Sequence, residues 1–132
     1  MSYPRMIMIR QQLDSTCVPD LNSSLKSEFC KSKLSSRIKP GTRVAITAGS
    51  RGITDIHTIV TLVVKEVKGR GGVPFIVPAM GSHGGATAEG QLQILAEFGI
   101  TEKNVGAPIV SSMDVVNLGQ TKSGIPVLLD RN

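Results

Sequence analysis

The sequence predicts an α/β fold: an open, mainly parallel sheet with flanking helices, built on a βαβ core and followed by a C-terminal strand pair. Three observations carry this reading. Two β-like runs, residues 43–48 and 73–79, each lead into a glycine-rich turn, Gly49-Ser50-Arg51-Gly52 and Gly81-Ser82-His83-Gly84-Gly85-Ala86-Thr87. Between them, apolar residues at 53, 56, 59, 60, 63, 64 and 67 fall at helical spacing rather than in alternation. Aromatics are scarce, with three Phe, one Tyr and no Trp, so the core has to be Val, Ile, Leu and Ala, which suits a parallel sheet covered by helices. A strand, helix, strand unit is right-handed in nearly all cases. Its two strands are then parallel neighbours, and both turns emerge at one carboxyl edge, where open α/β sheets bind ligands.

The elements follow in order. Met6-Ile7-Met8-Ile9 predicts a short opening strand. Pro19 and Asp20 open a helix, proline being tolerated in a first turn, and Leu21, Leu25 and Phe29 recur every four residues along one face. Ser23, Ser24, Ser27 and Ser32 are weak helix formers, so packing has to hold that helix. Pro40-Gly41 stops it. The β-branched residues of 53–67 argue mildly against the crossover helix, but periodicity and length outweigh them. Gly69, Gly71 and Gly72 end it. Thr87 caps a further helix that runs to Phe98, with Leu92 and Leu95 facing inward and Gly99 closing it. A turn spans residues 101–105. Residues 114–118 and 125–129 then read as strands joined by Gly119-Gln120-Thr121-Lys122-Ser123-Gly124.

At 132 residues the chain, residues 1–132, is one domain by length, and such a domain buries roughly two-thirds of its unfolded surface. The formal net charge is +5, and residues 26–43 hold six basic side chains against one acid, Glu28. No basic block interleaves with aromatics, which single-strand nucleic-acid platforms need, so no nucleic-acid role is expected and this is a solvated face. No leader-like h-region opens the chain, and no apolar run approaches the roughly 20 residues that span a bilayer. Cys17 and Cys30, separated by twelve residues, match no metal or redox spacing. The expectation is a cytoplasmic protein with two reduced thiols and no membrane contact. The chain stops directly after an apolar run, which reads as the first part of a larger two-domain protein.

The chemistry gathers at the two turns. Glycines from 81 to 85 permit backbone that a Cβ forbids and let a ligand approach the main chain. The helix after Thr87 offers unpaired N–H groups for an anion. Ser82 adds a hydroxyl, and His83 adds an imidazole, the side chain most often used to take up and return a proton. The turn lacks both the Walker ending and the dinucleotide glycine spacing. Arg51, just before a helix, suits bidentate capture of a carboxylate. Each also has a plain structural reading: His83 as a local hydrogen-bonding residue of a tight turn, Arg51 as surface. His57 sits at the margin of the crossover stripe and reads as a boundary residue. Asp55 and Glu89 lie where negative charge favours a helix start and receive no catalytic role. Two separated histidines make no metal site.

These segments resemble the N-terminal domain of the nickel-dependent lactate racemase-like family. The resemblance rests on Ile38-Lys39-Pro40-Gly41, on Ala48-Gly49-Ser50-Arg51-Gly52-Ile53, and on Val77-Pro78-Ala79-Met80-Gly81-Ser82-His83-Gly84-Gly85-Ala86-Thr87. Val105-Gly106-Ala107-Pro108-Ile109 and Ser111-Ser112-Met113-Asp114-Val115-Val116 add to it, so that it covers residues 19–131. It implies a substrate cleft in which His83 is the catalytic, proton-transferring residue and Ser50, Arg51, Gly81, Ser82 and Thr87 bind a small carboxylate substrate. The lactate racemases carry an Asp-His-Thr-Arg-Pro stretch where this chain has Ala48-Gly49-Ser50-Arg51-Gly52, and an arginine where it has Gly84. Those departures point to another 2-hydroxy acid. The family's cofactor is a nickel pincer nucleotide whose lysine attachment and histidine ligand lie outside this chain, so no metal ligand is assigned here. The implied reaction is racemisation or epimerisation by hydride transfer, with a histidine handling the hydroxyl proton. The chain alone is then expected to be inactive, needing a C-terminal domain or partner chain. The competing readings are a non-catalytic anion- or nucleotide-binding module and an inactive truncated product.

Overall fold

The computed structural model describes residues 6–132, apart from the side chain of Ser35. The chain forms α1 (Leu21–Lys31), the single turn α2 (Leu34–Arg37), β1 (Arg43–Ala48), α3 (Ile56–Gly69) and β2 (Val73–Pro78). A 3₁₀ turn (His83–Ala86) leads into α4 (Ala88–Glu97) and the single turn α5 (Glu102–Val105). The hairpin of β3 (Val115–Gln120) and β4 (Pro126–Asp130) follows.

β1 and β2 are parallel and adjacent, in register from Arg43 opposite Val73 to Ala48 opposite Pro78. α3 makes the crossover between them. Ile56, Val60, Val64 and Val67 form its buried face, and they meet Ala48, Ile76, Leu95, Ile100, Val105 and Ala107 in one apolar core. β2 lies at the centre, with Ile76 fully buried, whereas β1 alternates exposed and half-buried residues.

The predicted mainly parallel sheet is narrower than expected. Beyond β2, among the described residues, the ladder continues only as one parallel bridge between Ile76 and Ile109. Pro108 and Val110 supply it: Ile76 N–H donates to the Pro108 carbonyl and Val110 N–H to the Ile76 carbonyl, each at 2.8 Å. Pro108 has no N–H with which to extend a ladder, and Ile109 N–H instead donates to the Glu102 carboxylate at 2.9 Å. The growing edge is closed by a side chain. The C-terminal pair forms as predicted, antiparallel, with a bulge between Asn117 and Gln120.

Four local expectations need correction. Residues 6–9 form no strand; they are almost fully exposed and pair with nothing among the described residues. Pro19 lies outside α1, whose cap is Asp20, the carboxylate accepting from Asn22 N–H at 3.0 Å. α3 begins at Ile56, not Ile53, because Gly52 at φ +84° and Asp55 at φ +55° turn the backbone left-handed first. Ile53 is left 53% exposed. In α4 Leu95 is buried, with Gln91, while Leu92 is 37% exposed.

Two outcomes follow. Leu95→Ala should destabilise the fold by about 2–5 kcal/mol, while Leu92→Ala should stay within about 0.5 kcal/mol; urea unfolding of both variants checks the assignment of faces. Hydrogen bonds from the Ser23 side chain and then the Asn22 N–H hold the Asp20 carboxyl below its usual 3.8. A depressed folded value means that its contribution to α1 is complete above 3.8 and fades as pH falls through the lower value. Helix content followed by circular dichroism should show this acid loss in the wild type and a smaller one in Asp20→Asn.

Candidate functional site

The parallel register determines where the two glycine turns meet. Ala48 and Pro78 end β1 and β2 side by side, and Ala79 N–H extends the ladder by donating to the Ala48 carbonyl at 2.8 Å. The chains then leave the sheet at the same edge. There Ser50 Oγ lies 2.7 Å from His83 Nδ1. One hydrogen bond thus ties together turns that are 33 residues apart in sequence.

A cavity of about 420 Å³ opens beside this pair. Ser50, Arg51, Gly81, Ser82 and His83 line it, with Gly49, Ala79 and Met80. Ser50 and His83 are half-buried, and Arg51 and Ser82 are exposed. Arg51 makes no ion pair among the described residues, so its guanidinium can engage a bound carboxylate through two parallel N–H donors.

The Ser50 contact occupies Nδ1 and leaves Nε2 as the ring nitrogen able to meet a ligand. If Nδ1–H donates to Ser50 Oγ, Nε2 carries the lone pair and can accept a proton. If the serine hydroxyl donates instead, Nε2–H is a donor. Either tautomer orients the ring; the first makes it a base.

His83 is held from behind by glycine packing. Gly81, Gly84 and Gly85 have φ of +60°, +69° and +67°, and Ala86 follows at +55°. Gly84 lies directly on Gly90 in the first turn of α4. A Cβ at Gly90 would fall onto the Gly84 carbonyl oxygen, and 2.7 Å from its carbon. No side chain fits at that contact. Gln91, buried in the next position, donates from Nε2 to the Gly81 carbonyl at 2.9 Å and anchors the start of the turn.

Of the residues singled out in the sequence, Ser50, Arg51, Gly81, Ser82 and His83 come together around one cavity. Thr87 does not line it. Its hydroxyl accepts from Gly90 N–H and donates to the Gly84 carbonyl, both at 3.0 Å, so it caps α4 and braces the turn. That cap answers the Gly90 N–H of α4 with an oxygen of its own chain. His57 sits beside Gly99 and lines neither of the cavities at this edge. The Ser50–His83 bond, the Gly84–Gly90 contact and the role of Gln91 were missed in the sequence. Only the glycine at 90, unusual inside a helix, hinted at close backbone approach.

Among the described residues no group of three or more His, Cys, Asp or Glu converges on one point. Comparisons of the chain with family models, curated proteins and solved structures find no match.

The glycine contact gives a direct test. Gly90→Ala should push the 83–86 turn off α4 and break the Ser50–His83 bond while leaving the β1–α3–β2 core folded. Ring ¹⁵N shifts of His83 should move toward those of Ser50→Ala, with the far-ultraviolet spectrum largely retained. Unchanged ring shifts in Gly90→Ala would contradict the geometry.

Proposed function

We propose that this chain is the substrate-cleft domain of a racemase or epimerase acting on a small 2-hydroxy acid, as its resemblance to the nickel-dependent lactate racemase-like family implies. The observation that carries the reading is the Ser50–His83 hydrogen bond. It joins the two glycine turns at a parallel-sheet edge and fixes an imidazole in the wall of a cavity that is also lined by a guanidinium with no ion pair among the described residues.

The roles follow from the chemistry of these groups. Arg51 receives the substrate carboxylate. His83, with Nδ1 engaged by Ser50, accepts the substrate hydroxyl proton at Nε2 and returns it after the carbon has inverted. Ser50 Oγ stabilises the imidazolium that forms and is a positioning residue. Gly81 and Ser82 shape the wall and offer main-chain and hydroxyl contacts. The hydride leaving the same carbon needs an acceptor held by groups other than the described residues, so the complete reaction requires a further domain or partner chain. A site that moves protons works best with a group titrating near the working pH, and imidazole is that group.

The alternative, a non-catalytic anion-binding module, would place its anion at the α4 N-terminus, where helix N–H groups point outward. Thr87 Oγ1 takes one of these, the Gly90 N–H, and the Gly84 carbonyl lies against Gly90; the Ser50–His83 pair favours the catalytic reading.

Two variants separate the histidines. In enzyme assembled with its hydride-accepting partner, His83→Ala should lower turnover by about 10²–10⁴, and His57→Ala should change it little. A chiral assay with circular dichroism as the folding control reads both. Near-normal turnover in a folded His83→Ala would sink the proposal, as would a folded His57→Ala that is dead.

A further inference from the structure

Past the wall formed by Ala79, Met80 and Gly81, which the two spaces share, lies a second cavity of about 230 Å³. Its far side comes from the C-terminal hairpin. Val115 and Asp130 are opposite each other in the β3–β4 ladder, so their side chains share a face, and both line this cavity. Ser112 closes the side between them and the sheet, and the buried Gln91 also lines it.

The polar groups here are mainly acceptors. Gln91 Nε2 is committed to the Gly81 carbonyl, and its Oε1 has no hydrogen-bond partner among the described residues. Asp130 Oδ1 accepts from the Asn132 backbone and side chain at 2.8 and 3.2 Å, which leaves Oδ2 without a partner among the described residues. Asp130 is half-buried and forms no ion pair there. The first cavity thus presents a cation, Arg51, and the second an anion. The chain carries a formal +5, so its overall field disfavours a cationic ligand; any preference for one has to arise at this carboxylate.

Resting on the reading of Arg51 and His83 given above, we infer that the substrate is a 2-hydroxy acid whose side chain ends in an ammonium group, and that Asp130 selects it. The carboxylate pairs with Arg51, the hydroxyl meets His83 Nε2, and the side chain passes over Ala79, Met80 and Gly81. The ammonium then donates to Asp130 Oδ2 and Gln91 Oε1. Lactate would leave the second cavity unused.

Calorimetric titration of the 132-residue chain tests this with matched probes: ω-amino 2-hydroxy acids of four to six carbons, the same acids without the amine, and lactate. At least one amine should bind about tenfold or more tighter than its amine-free partner, as a charge-assisted hydrogen bond gives. Asp130→Asn keeps the Oδ1 acceptor and should abolish that preference while leaving the amine-free acids unchanged. Asp130→Lys should turn the preference toward 2-hydroxy diacids. If all acids bind alike and Arg51→Ala weakens them all, the site stands and the inference about Asp130 is overturned. If no acid binds, or if Arg51→Ala leaves binding intact, the reading of the site fails and the inference fails with it. Should Asp130→Lys not fold, Asp130→Asn alone decides.

Discussion

The parallel pairing of β1 with β2 is the constraint on which the rest of the molecule depends. It holds because α3 can bury one face, Ile56, Val60, Val64 and Val67, over both strands at once. A right-handed crossover of this length returns the chain beside its starting strand and points both strands the same way. Once Ala48 lies opposite Pro78, the residues that follow have to leave from one edge. Ser50 and His83 can then meet, though neither turn carries any local preference for the other. A slip of the pairing by one residue would reverse the faces of every side chain in β1 and carry Ser50 out of reach.

The second constraint is steric and lies in main chain rather than side chains. Gly84 on Gly90 brings two backbones closer than any Cβ allows. Left-handed conformations at Gly84, Gly85 and Ala86 cost little for the glycines and something on the order of 1 kcal/mol for the alanine. The surrounding bonds over-determine the turn: Thr87 Oγ1 to the Gly84 carbonyl, and Gln91 to the Gly81 carbonyl. A histidine on such a support keeps its ring orientation without a carboxylate behind it. Ser50 engages Nδ1 and so leaves Nε2 as the nitrogen free of that bond.

This division explains what the sequence could and could not reveal. The βαβ core was legible because burial on one side of α3 leaves a period in the apolar residues. The start of α3 was not, since Ile53 fits that period and only the backbone at Gly52 and Asp55 removes it from the helix. That the ladder beyond β2 shrinks to one bridge had a sign, Pro108, but the other half of the cause is the Glu102 carboxylate on Ile109 N–H, a tertiary contact. In the site, the glycine turns and their polar residues stood out by composition. Thr87 was ambiguous because a hydroxyl before a helix suits a cap or a ligand equally, and here both its hydrogen bonds are internal. The partnership of Ser50 with His83 depends on strand register and has no local signature.

The arrangement of oxygens also bears on what the cleft can bind. Two features of the turn, the helix N-terminus and the run of glycines, suit a phosphate when their N–H groups point outward. In this chain Thr87 Oγ1 accepts from the Gly90 N–H and the Gly84 carbonyl lies against Gly90. The cationic side chain at the edge is Arg51, a planar donor suited to a carboxylate. Beside it stands a half-buried imidazole with one nitrogen engaged. A carboxylate and a hydroxyl on adjacent carbons present their acceptor and their proton close together, which is the spacing that a guanidinium and an imidazole on neighbouring turns can serve. The edge therefore offers a guanidinium and an imidazole on neighbouring turns, with a carboxylate, Asp130, lining the cavity past the shared wall.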